Sequence, residues 1–246
     1  RIIDRYTEDD AIPFALQNKQ YRLAVITARS RHFTASEKSW IQKIGLGLCF
    51  AANLAFPRTM RRFFERIVFF SGPKPPAFCL NGTYRGQYIP LNPFNFKHAV
   101  LASGAIPLVV AGVQDIFGAP RGIYRDGGLV DYHINEVYNA QADEMTLFFH
   151  HQRQVKPVWM DKNLKSRRSP AHLLDNVLMV YPTPTFVSAL PDGKIPDRTD
   201  FITYVDDQAQ RIRNWWKAVE MSAHLGEEFM ERVDSGRIRS MVLPLD

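Results

Sequence analysis

The chain reads as an α/β protein. Three observations carry that expectation. A β-branched apolar run occupies Tyr21-Arg22-Leu23-Ala24-Val25-Ile26-Thr27-Ala28. A long helical stretch follows from Ser36, and a second strand-like run arrives at Asp126 just after a short small-residue helix. Strand and helix patterns that alternate in this way belong to a sheet covered by helices.

Each element has its own signal. The segment from Ser36 to Phe70 reads as two helices broken near Pro57. The first, from Trp40 to Phe56, is largely apolar, with Lys43 its only charge. The second is expected to carry Phe63, Ile67 and Phe70 on one side, with Arg58, Arg62 and Arg66 at four-residue spacing on another. Pro73, Pro75 and Pro76 mark a loop. Phe78 to Leu80 and Gln87 to Ile89 then flank Asn81 to Gly86 as a hairpin would. A helix is expected from Phe96 to Ser103, stopped by Pro107, and then the strand that reaches Asp126. Glu144 to Phe149 reads as a further strand and Val177 to Val180 as a weaker one. Pro182 to Pro196 holds four prolines and reads as a loop; Asp200 to about Val233 is helical, ending near Gly236.

Composition narrows the function classes. Over 246 residues, 46% hydrophobic and 23% charged content supports a sizeable core and excludes a disordered chain. The net charge of +6, with 17 Phe, 9 Tyr and 4 Trp, suits an anionic partner such as a membrane surface. Nucleic acid is not expected, because the basic residues are dispersed and not interleaved with stacking aromatics along one groove. Two cysteines in apolar settings, Cys49 and Cys79, suit reduced thiols of a cytoplasmic protein. No apolar stretch approaches the roughly 20 residues of a membrane span.

The chemistry centres on Tyr124-Arg125-Asp126-Gly127-Gly128, where a strand delivers an aspartate to a Gly-Gly turn. Adjacent glycines permit unusual backbone angles and let another backbone approach closely. With the upstream Ala102-Ser103-Gly104-Ala105-Ile106-Pro107, this segment resembles the aspartate half of the patatin-like phospholipases. The resemblance is distinctive over about Phe96 to Asn135 and extends from Tyr21 onward. It implies a partial three-layer α/β/α domain over residues 1–181, with a Pro-rich loop and helical tail over 182–246 packed on it. It further implies acyl-ester hydrolysis of phospholipids or related lipids by a Ser-Asp dyad, with no metal or organic cofactor. In that scheme Asp126 is the general base, made stronger by partial burial, and Gly127 and Gly128 shape its loop. The tail looks more like bacterial relatives than plant storage proteins.

The family's G-x-S-x-G elbow is not among these residues. The chain begins at Arg1, so the serine and its oxyanion loop are expected upstream, and these residues alone are expected to be inactive. The alternative is a non-catalytic lipid- or membrane-binding module of the same fold. For membrane contact, peripheral and at the cytoplasmic face, the candidates are Phe63, Phe64, Arg58, Arg62 and Arg66, with Ile44 to Phe56 as an interfacial helix. Oligomeric state is open at this level.

Other constellations carry less. Ser103 with His133 and Asp126 or Asp131 could mimic a triad, but Ser103 sits in a packed helix end, not at a strained turn. His150 and His151, if consecutive on a strand, point to opposite faces and make no metal site. Asp206-Asp207 and Glu227-Glu228 read as solvated helix faces. Gly45-Leu46-Gly47 lacks the third glycine of a dinucleotide fingerprint.

Overall fold

The computed structural model describes Ile3, Thr7, residues 10–80, 86–133, Val137 and residues 144–245. The chain forms two compact units. One comprises residues 1–142 and 154–174, the other residues 143–153 and 175–246. This division differs from the expected boundary between 181 and 182, because the strands after residue 142 group with the C-terminal helix.

The first unit is built on a five-stranded mixed sheet. Its strands are β1 (Ala24–Ser30), β2 (Phe64–Phe70), β3 (Gly86–Pro90), β4 (Val113–Gln114) and β5 (Ile123–Asp126), in the order β3-β2-β1-β5-β4. Only β2 and β3 run parallel; β1 is antiparallel to both β2 and β5, and β4 to β5. Helix α1 (Ala11–Gln17) precedes β1, α2 (Ser39–Ala55) follows it, and α3 (Phe96–Ser103) lies between β3 and β4.

Strand alternation assigns the two faces. Ile26 and Ala28 of β1 and Phe64 and Val68 of β2 pack with Cys49 of α2, Leu129 and Val130. Val25, Ile67, Phe69 and Tyr124 turn the other way, against Phe96, Ala99 and Ala102 of α3. Helices thus cover both faces, and small residues on α3 let it sit close to the sheet. Asn95 is fully buried at the start of α3. Its amide donates to the carbonyls of Pro90 (3.0 Å) and Phe117 (3.2 Å), and its oxygen accepts the Asn92 N–H (2.9 Å). One side chain therefore fixes the turn that feeds the helix.

Two expectations are corrected. The second expected helix lasts one turn, Met60–Phe63, before Phe64–Phe70 becomes the interior strand β2, between β3 and β1. The four-residue spacing of Arg58, Arg62 and Arg66 was coincidental. Phe64-Glu65-Arg66-Ile67-Val68-Phe69-Phe70 is aromatic and β-branched, and seven of its residues pair with β1 and five with β3. The described residues do not form the expected hairpin, and its connection over residues 81–85 lies outside them. Ala77–Leu80 is a helical turn, and β3 pairs with β2, not with the segment just before it.

The second unit has a two-stranded parallel sheet of β6 (Thr146–Phe149) and β7 (Val177–Val180). It continues with α4 (Pro184–Ala189), within the stretch expected as a loop, then a turn at Asp200–Thr203 and α5 (Gln208–Asp234). Thr183 caps α4, with its hydroxyl accepting the Phe186 N–H (3.2 Å) and Pro184 at the first helical position. Asp207 caps α5 through the Gln210 N–H (2.9 Å), and Gly236 follows in the left-handed conformation. Asp200 organises the joint before α5. Its buried carboxylate accepts bonds from Lys194, the Asp197 N–H (3.0 Å) and the Trp215 indole (2.8 Å).

Candidate functional site

Asp126 is the last residue of β5, opposite Thr27 of β1, and is half-buried. The chain then turns into a single 3₁₀ turn, Gly127–Leu129, which Asp126 caps. Its carboxylate accepts the Gly128 N–H at 2.7 Å. Its own N–H donates to the carbonyl of Ala105 at 3.1 Å. The Ala-Ile-Pro segment and the Asp-Gly-Gly segment are therefore joined by a backbone bond at the residue of interest.

Gly127 is required by close approach. A Cβ there would lie 2.3 Å from the carbonyl oxygen of Ile26, a strand backbone that cannot yield. The same carbonyl accepts the Ser103 hydroxyl at 2.8 Å. Helix α3, strand β1 and the Asp126 turn thus converge on Ile26. The Asp131 N–H donates back to the Gly127 carbonyl (2.8 Å), closing the turn on itself.

The rival triad is not assembled. Ser103 is tied to Ile26, and the His133 Nδ1 accepts the Lys156 N–H (2.9 Å) while its ring stacks on Tyr132 at 4.4 Å. Asp131 is ion-paired with Arg66 Nε at 2.5 Å. Burial pushes the Asp131 carboxyl above the usual carboxylate range, with Arg66 acting against that shift.

Arg66 corrects the membrane-facing expectation most sharply. It is 0% exposed, with Nη1 donating to the Cys79 carbonyl (2.6 Å) as Tyr88 also does (2.8 Å). Phe64 is buried in the same face of β2. Placement on an interior strand puts both inside. Arg58 and Arg62 are exposed, and Phe63 is half-buried against Phe33. The exposed apolar face lies instead on α2, where Trp40, Ile44 and Leu48 recur every four residues. Cys49, on the buried side of that helix, is a thiol outside any disulfide and pushed up to about 12 by burial, and Cys79 is likewise buried and not in a disulfide.

Residue-by-residue reading missed two ion pairs that each hold a buried arginine. Arg66–Asp131 is one; Arg125–Glu37 is the other, with Arg125 almost fully buried and pulled below its ordinary value by that burial, against Glu37. A lone charge inside an apolar strand run, as in Ile67's neighbour Arg66 or Tyr124's neighbour Arg125, was the available signal. His150 and His151 also differ from expectation. β6 ends at Phe149, so strict alternation does not apply, and the two rings lie 4.6 Å apart.

Among the described residues, no helix is long and apolar enough to cross a membrane. Compared with family models, curated proteins and solved structures, the chain matches none of them.

Proposed function

We propose that this chain is part of a patatin-like lipid acyl hydrolase in which Asp126 is the general base of a Ser-Asp dyad. The observation that carries the reading is the grip on Asp126: Gly128 N–H on its carboxylate, Ala105 carbonyl on its backbone. A carboxylate fixed at a strand end by a Gly-Gly turn is pre-oriented to take a proton from a hydroxyl brought to it. The serine and oxyanion donors would come from residues other than these 246. The acyl group would pass to that serine and then to water, with Asp126 accepting the proton in the first step.

The test is phospholipid-ester cleavage in mixed micelles by the whole protein, wild type against Asp126→Asn. The variant is expected to keep its fold and lose turnover by about a hundredfold or more. Near-normal turnover removes Asp126 from the mechanism. The 246 residues alone are expected to cleave nothing.

A second reading, a lipid-surface binding module, is favoured by one feature. The exposed Trp40, Ile44 and Leu48 stripe of α2 leads into the exposed Arg58, Arg61 and Arg62 beyond Pro57. Apolar side chains followed by cations suit an anionic bilayer interface. Trp40→Ser with Ile44→Ser should abolish co-sedimentation with anionic vesicles without altering the melting temperature. Equal sedimentation of wild type and variant would dismiss this face.

A further inference from the structure

The second unit presents an apolar seam that its own fold leaves open. Along α5, Ile212, Trp216, Val219, Ala223, Gly226 and Met230 follow one another at alternating steps of four and three. That spacing is the seam of a helix that packs along another helix. The seam runs about 27 Å at 1.5 Å per residue. All six residues are exposed, Trp216 at 66%, and a Cβ at Gly226 would meet nothing within 4 Å. The face that serves the unit's own core is a different one. Trp215 bonds Asp200 and packs edge-on against Phe201, Ala218 is buried, and Phe229 packs on Phe149.

We propose that this seam pairs with the same seam of a second copy of the chain, the two α5 helices running antiparallel. Size complementarity selects the arrangement. With the dyad near Met221, Trp216 faces Gly226 of the second copy, Val219 faces Ala223, and Ile212 faces Met230. Every large residue meets a small or flexible one. A parallel pair would set Trp216 against Trp216 and leave a void between two glycines. Charge agrees with the antiparallel choice. The exposed Arg213 flanks the seam at one end and lies beside Glu227 of the second copy, twice by symmetry. Among the described residues, Arg213 is engaged by the half-buried Gln210 and Glu227 by the exposed His224, side-chain contacts at the helix surface that hold them weakly. A bilayer is a poor occupant, because Glu220 and Glu227 border the seam and would oppose an anionic surface. One unfavourable contact remains, Glu220 facing its symmetry mate across the dyad.

The experiment is sedimentation equilibrium of the full chain from about 1 to 100 µM, a range that brackets micromolar association. Wild type is expected to dimerise. Trp216→Glu should leave a monomer. Gly226→Leu is the decisive variant, because it improves helix propensity and meets open space in the monomer. It should keep or raise the melting temperature while weakening the dimer about tenfold or more, since it fills the recess for the second Trp216. Glu220→Gln should tighten it. A monomer throughout the range, a dimer indifferent to Trp216→Glu, or a dimer tightened by Gly226→Leu would overturn the proposal.

Discussion

Removing the carboxylate of Asp131 should destabilise the first unit more than any surface change. Asp131→Asn leaves the guanidinium of Arg66 fully buried in β2, with the Cys79 carbonyl among its remaining acceptors. Two unit charges about 4 Å apart interact by about 4 kcal/mol at an effective dielectric constant of about 20. Loss of one partner from a buried pair costs about 3–5 kcal/mol, which agrees. Arg66→Met combined with Asp131→Leu removes both charges and should cost less than either single change. Urea unfolding followed by far-UV circular dichroism measures wild type, Arg66→Met, Asp131→Leu and the double variant as the four corners of the cycle, with Asp131→Asn measured beside them. The reasoning fails if Asp131→Asn unfolds within about 1 kcal/mol of wild type, or if the double variant is as unstable as the single ones.

Three further outcomes are expected. Gly127→Ala should cost at least about 1–3 kcal/mol, because its Cβ would strike the Ile26 carbonyl; an unchanged urea midpoint would contradict that close approach. Cys49, its thiol pushed up to about 12, should ignore an aromatic disulfide reagent at pH 8 in the native protein and react only on unfolding. Asp197 is held at about 2 by the Thr199 hydroxyl and N–H, with burial opposing and Lys194 assisting. A lowered folded value means its stabilisation is complete above the unfolded value near 4 and is lost as pH falls through about 2. Because the side chain is 42% exposed, solvent screening limits that contribution to about 1 kcal/mol or less. Thr199→Val should move the NMR titration of Asp197 upward; no movement would dismiss the Thr199 bonds as the cause.

Local patterns revealed the elements whose neighbours do not alter them. The Phe96–Ser103 helix, the strand into Asp126 and the late helix were legible because small-residue, β-branched and capping signals agree there. Segment 64–70 was not. Its arginine spacing mimics a helix face, and only pairing with β1 on one side and β3 on the other makes it a strand. For the same reason Arg66 read as exposed: its partner Asp131 is far away in sequence and joins it only through the fold. The position of Asp126 could be read; what holds it could not, since the Ala105 carbonyl and the Ile26 approach are backbone contacts that no residue pattern encodes.

The bond from Asp126 N–H to the Ala105 carbonyl has a consequence for how this region can change. It cinches the excursion from Ile106 to Arg125 at its base, so the length of that excursion is uncoupled from where the carboxylate stands. Insertions near the exposed Val109 and Val110 would lengthen a rim without shifting the aspartate. A single residue added between Asp126 and Gly128 would break the carboxylate's own tether instead. Natural variation in this chain should therefore collect on the outer arc and spare the knot.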